Sequence, residues 1–471
     1  MRRRSLHFAY GFIHNAFTVV AVLLGTVLAT MDLTGCGGGT TGTTQSVASG
    51  YSPNFLYNFK ASPDGNGPAV GVVLDDNGNL YGTTVHGGTF GNGTVYELMP
   101  NGGQWSEKVL YSFCHPGMKC SDGSQPTSKL TFDSAGNLYG TASQGGSYSD
   151  PYSGIGYGVV FELTPQQDGT WTETVLYNFQ GGEDGAYPNG GSLLFDNVGN
   201  IYGTTVGGGG TEDDEGYTDN GTVFELSPAS NGQWTEEVLA TFCDAGMCDG
   251  GDGTNPQDGL TFDSSGNLFG TMRTGPPTWV WDIMPPGPGF GTVFELGLTP
   301  SDSWSWVYLF RPGPTDGATP MGGLITDSTG AFYGTTSAGG NSTLSPDSGT
   351  VFKLTLGTDG KWSDSILYNF CSLPVCADGS HPTTGVVFDQ SGNLYGTTLN
   401  GGTLDAGVVF KLEPQPDGTW KESTLYEFQG SINGYGPVGL TVDSSGNLYV
   451  VAAGGTSGNG MVLELVPQIA Q

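Results

Sequence analysis

Short apolar runs alternate along the chain with clusters of Gly, Asn, Asp and Pro, and no segment after residue 36 keeps a helical period. One run reads GNLYG at 78–82 and 136–140, GNIYG at 199–203 and GNLFG at 266–270. It continues as GAFYG at 330–334, GNLYG at 392–396 and GNLYV at 446–450, with spacings of 54 to 67 residues. A second run follows each copy, in order GTVYEL, GVVFEL, GTVFEL, GTVFEL, GTVFKL, GVVFKL and GMVLEL. A third, from a Trp to a Phe as in Trp171 to Phe179 (WTETVLYNF), follows six of the seven.

Each repeat therefore predicts four short strands. Strand a is the apolar run before an Asp, as in Leu260-Thr261-Phe262-Asp263; b is NLYGTT, c is GTVFEL and d is the Trp-to-Phe segment. Between a and b, Asp-x-x-Gly-Asn suits a tight turn, with Gly free to take positive φ. Four-stranded units repeated radially make a propeller, which buries its sheet faces between neighbouring blades. The seventh repeat stops at Val466-Pro467 without a strand d, while an orphan Phe55-Leu56-Tyr57-Asn58-Phe59 precedes the first. The expectation is an all-β, seven-bladed propeller over 54–467, whose last blade joins 437–467 to 54–60 and closes the ring.

The GNLYGTT, GTVFEL and W-x-E-x-VLYNF segments resemble the bacterial tandem repeats called GloVer (Gloeo/Verruco) repeats, over roughly residues 54–467. The resemblance implies an exported or surface protein with one of several anchors, and it brings no established activity. Blade four departs from the pattern by a long insertion, and blade seven lacks the final Gly of GNLYG.

The N-terminus reads as an address. Arg2, Arg3 and Arg4 precede an apolar run, Ala16 to Thr30, that is short for a membrane span. It ends in Leu33-Thr34-Gly35-Cys36, which resembles the lipobox of bacterial lipoproteins. That resemblance implies removal of residues 1–35, lipid attachment at Cys36 and a flexible tether over 36–53; a plain signal peptide is the alternative. Gly rather than Asp after Cys36 leans, by the same analogy, towards the outer membrane or cell surface.

Composition changes this picture little. The 83 Gly and 12% charged residues would suit low complexity, but 11% aromatic residues do not. A formal charge of −32 excludes a nucleic-acid partner, because phosphate binding needs a Lys/Arg surface. It also disfavours peripheral docking on anionic lipid, leaving the lipidated N-terminus as the membrane contact, and a monomeric propeller is expected.

Candidate chemistry falls on the d–a and b–c loops, which vary between repeats while the a–b and c–d turns stay short. Cys114/Cys120, Cys243/Cys248 and Cys371/Cys376 each follow a strand d and read as local disulfides; redox and metal roles are weaker, with no Cys-x-x-Cys and only His115 and His381 nearby. Asp64, Asp122, Asp184, Asp252, Asp316 and Asp378 precede a Gly in the d–a loops. They suit turns, or a ring of carboxylates holding Ca²⁺ as a cofactor. Trp279 and Trp281 in blade four and Tyr148, Tyr152 and Tyr157 in blade two are candidate contacts for a glycan or protein, the two Trp having capping of the ring as their alternative. Lys129 is a lone cation where other repeats carry Gly or Ser, either facing the channel or pairing with an Asp.

No Gly-x-Ser-x-Gly elbow, phosphate loop or paired-His metal motif occurs, and no catalytic residue is assigned. The expectation is a binding or interaction module on the cell surface or in the periplasm, in preference to an enzyme. A structural envelope protein, or a propeller lyase or hydrolase acting on extracellular carbohydrate, is the alternative.

Overall fold

The computed structural model describes residues 50–468 apart from 116–118, 152, 190, 211–219, 243–253, 275–289, 298–303, 310–315, 343 and 346, with backbone alone at 254 and 304–309. Val47–Gln471 forms one compact unit.

The repeats fold as seven antiparallel sheets, each with the order a-b-c-d. Blade one shows the plan. Its strand a is split into Gly65–Pro68 and Val73–Leu74, followed by b at Leu80–Gly87, c at Thr94–Asn101 and d at Gln104–Ser112. Blade seven has an unbroken strand a, Tyr435–Val442, with a register shift between Pro437 and Gly439. Its strand d is the N-terminal Tyr51–Asn58, antiparallel to strand c at Met461–Pro467, with Tyr51 opposite Pro467 and Asn58 opposite Met461. The closing strand thus begins at Tyr51, ahead of the expected position 54.

The core lies between blades. One buried cluster takes Tyr81 from blade one and Leu130, Leu138 and Phe161 from blade two; another joins Leu56, Val451 and Val462 of blade seven to Leu80 and Tyr96 of blade one. Threonine hydroxyls add one polar link across successive blades: Thr83 to the Ser128 carbonyl (3.2 Å), Thr131 to Leu193 (2.9 Å), Thr335 to Thr384 (2.7 Å). Thr441 donates to the Val72 carbonyl at 2.6 Å and so links blade seven to blade one.

Two sequence signals have a clear physical cause. The Gly of GNLYG lies opposite the aromatic residue of strand c: a Cβ on Gly396 would sit 2.5 Å from the Phe410 ring, and one on Gly140 2.7 Å from Phe161. Blade seven solves the same space differently, pairing Val450 with Leu463. The Asp of the a–b turn organises that turn: Asp75 Oδ1 accepts the amides of Asn77 (2.9 Å) and Asn79 (2.8 Å), and Oδ2 accepts Asn79 Nδ2 (2.9 Å) and the Tyr81 hydroxyl (3.2 Å). The same bonds recur at Asp133, Asp389 and Asp443, so these carboxylates are turn formers. Cys114–Cys120 and Cys371–Cys376 are disulfides; Cys243 and Cys248 lie outside the described residues.

Candidate functional site

In most blades strand a breaks just after its Pro, and the linking residues turn towards the propeller axis. Segments from all seven blades, from Ala69–Gly71 of blade one to Val438–Leu440 of blade seven, line one pocket of about 350 Å³. Glycine recurs on the wall where adjacent inner strands nearly touch: a Cβ on Gly439 would lie 2.1 Å from the Gly71 amide nitrogen.

Lys129 stands in blade two where most other blades carry glycine, and it lines this pocket. Among the described residues no side chain lies within ion-pair or hydrogen-bond reach of it. Asp258 of blade four lines the same pocket. Its carboxylate accepts the amides of Gly259 (2.7 Å) and, across the blade boundary, Gly323 (2.5 Å). Both side chains keep some surface on the pocket while protein surrounds them otherwise. Burial lowers the Lys129 pKa, opposed by the Asp258 charge. Burial raises that of Asp258, opposed by its two amide donors and by Lys129. An amine and a carboxyl displaced towards neutrality around one pocket are suited to exchanging protons with a bound molecule. Thr127, Asn189, Ser192, Gln257, Thr383 and Thr384 supply further polar groups. Thr127 Oγ1 is buried with no hydrogen-bond partner.

Asp258 escaped the sequence reading because Asp-Gly pairs abound in this chain; the available signal was an Asp two residues after the strand-a Pro256, where the other repeats carry no charge.

The remaining candidates lie elsewhere. Tyr148 is exposed, whereas Tyr157 is buried beside Tyr187, 6.1 Å between ring centroids, and is corrected from surface contact to core residue. Trp279, Trp281, Tyr152, Asp252 and Cys36 lie outside the described residues. Asp64 accepts Tyr57 (2.9 Å) and the Lys60 amide (2.9 Å); Asp122 accepts Tyr111 (2.9 Å); Asp184 accepts Tyr177 and the Gln180 amide (2.7 Å); Asp378 accepts Tyr368 (2.7 Å) and the Ser372 amide (2.8 Å). Asp316 accepts the Gly317 amide at 2.8 Å. Each of these carboxylates is thus bonded within its own blade junction. No cluster of three or more His, Cys, Asp or Glu suited to a metal is found among the described residues.

A family profile described as Gloeobacter/Verrucomicrobia repeat matches residues 25–278, 154–373 and 342–470. No curated protein matches significantly. Similar solved structures include the extracellular domain of a putative hybrid two-component system from B. thetaiotaomicron (13% identity, 89% of this chain, 41% of that chain, TM-score 0.49). Others are a putative oxidoreductase (glucose dehydrogenase) from Thermus thermophilus (16%, 88% and 100%, 0.39) and a gluconolactonase from Xanthomonas campestris (16%, 66% and 82%, 0.35). At this distance the likeness concerns fold and transfers no activity. The expectation weighted against an enzyme is withdrawn: two of these similar folds bear the names of enzymes.

Proposed function

The chain belongs to the Gloeobacter/Verrucomicrobia repeat family, and on that premise we propose that its axial pocket takes a small polyhydroxylated molecule of the carbohydrate class, with Lys129 and Asp258 as an acid–base pair acting on it. The observation that carries this reading is the placement of those two groups, from different blades, on one pocket wall. The size suits a single sugar ring or a short fragment, within the range of small-molecule sites. Hydroxyl and amide side chains around the wall would orient hydroxyl groups, leaving the charged pair to move a proton. The test measures binding and turnover of residues 47–471 against a panel of sugar acids, lactones and short acidic oligosaccharides. Turnover lost in both Lys129→Met and Asp258→Asn, with unchanged melting temperatures, supports the assignment. Turnover or binding indifferent to both contradicts it.

A second reading, partner binding on the loop face, is favoured by Leu344, Leu373, Val375, Leu399, Leu404 and Ile432, all exposed on d–a and b–c loops of blades five to seven. Saturable binding lost on changing Val375 and Ile432 to Ser, but kept in Lys129→Met, would favour it.

The proposed setting is the bacterial cell envelope, with export directed by residues 1–35 and lipid at Cys36. Radiolabelled palmitate incorporated by the full chain and not by Cys36→Ser would support the anchor; equal labelling of both would remove it.

A further inference from the structure

The d–a loop aspartates have a partner that the turn chemistry does not use. At four blade junctions a Glu from strand d of the next blade, the Glu of W-x-E, comes into range of that Asp: Asp64 with Glu107, Asp122 with Glu173, Asp184 with Glu236, and Asp378 with Glu422. Neighbouring d strands pack together here, Tyr51–Asn58 on Gln104–Ser112 and Trp171–Asn178 on Trp234–Thr241 among them. Glu107 Oε1, Glu173 Oε1 and Glu236 Oε1 are buried without a hydrogen-bond partner. So is Oδ1 of Asp122, a residue only 3% exposed. Two ionised carboxylates left so would repel each other, and these orphaned oxygens would have no donor.

We propose that the Asp64–Glu107, Asp122–Glu173 and Asp184–Glu236 junctions, where a Glu oxygen is orphaned, each hold one proton between Asp and Glu, so that the three pairs form a pH-sensitive clamp between blades. The proton supplies the missing donor, as an O–H from Glu towards the Asp that its tyrosine already orients.

The groups facing each Glu agree. Around Glu107 stand Asp64, Tyr57, Tyr96 and the cation Lys60; around Glu173, Asp122 and Tyr111. Around Glu236 are Asp184, Tyr177, Glu237 and, across a shared cavity, Glu183; around Glu422, Asp378, Tyr368 and Thr424. Burial first, then the neighbouring Asp, raises Glu107 and Glu173 to about 8 and Glu236 to about 7. Burial and Asp378 raise Glu422 to about 7, against the Thr424 hydroxyl. Each folded pKa exceeds the unfolded value of about 4.3, so the folded ring binds more protons across that interval. The stabilisation is complete below about pH 4.3 and is lost as pH rises through 7 to 8.

The test is a set of melts of residues 47–471 from about pH 5 to about pH 9, alongside the variant with Glu107, Glu173 and Glu236 all changed to Gln. Wild type is expected to lose roughly 10 °C across that range, and the variant far less, because Gln keeps a donor at every pH. Equal slopes would assign the effect to overall charge and overturn the proposal. If the triple variant does not fold, infrared spectroscopy of wild type decides. A protonated-carboxyl band that persists near neutral pH and vanishes by about pH 9 supports the clamp; its absence near neutral pH overturns it. A Ca²⁺-dependent rise in melting temperature at alkaline pH, lost in Glu173→Gln, would replace proton by metal and also overturn it.

Discussion

At the scale of the residue, this fold is governed by a few contacts repeated in each blade. The Gly of GNLYG exists because an aromatic ring fills the space where its Cβ would stand, and the one blade without that Gly has Leu463 in place of the ring. Gly396→Ala should therefore cost roughly 1–3 kcal/mol through overpacking against Phe410, read from denaturant melts. The paired change Val450→Gly with Leu463→Phe should cost less than Val450→Gly alone. A neutral Gly396→Ala would remove the steric account. Single residues were unevenly legible. Lys129 stood out because it breaks a run of small residues, but Asp258 did not, since its chemistry arises only when blades two and four face one axis. Tyr157 looked like a surface aromatic in a variable loop, yet it closes the core of blades two and three against Tyr187.

At the scale of the element, the decisive piece is the N-terminal strand. Tyr51–Asn58 supplies the outer strand of the last blade, so both ends of the chain are held in one sheet. Deleting residues 51–60 should expose Met461–Pro467 as an open edge and lower the melting temperature by several degrees at least. An unchanged melt would mean that the ring holds without this strand. This element was legible because a missing strand at one end matched an orphan at the other. Its start at Tyr51 was not, since the Tyr-Ser-Pro stretch carries no repeat motif. The breaks in strand a were also hidden: a short apolar run before an Asp looks the same whether or not its approach has turned towards the axis.

At the scale of the whole molecule, a ring of near-identical blades puts its distinctive chemistry where the blades differ. Sevenfold repetition made the fold readable from sequence, because each motif was seen several times and its exceptions explained one another. The site was less readable for the same reason: 45 acidic residues, many serving turns, mask the few that meet across blade boundaries. The proposed function rests on Lys129, a lysine on the axial pocket wall whose amine is held below the ordinary lysine range by burial. The most direct measurement is competitive acetylation of every lysine in residues 47–471 by acetic anhydride across a pH series, quantified by mass spectrometry. Lys129 is expected to react with a midpoint below those of the surface lysines and to gain protection when a pocket ligand is added. A midpoint shared with the surface lysines, or no reaction at a pH where they react fully, would contradict an accessible, shifted amine at the centre of the ring.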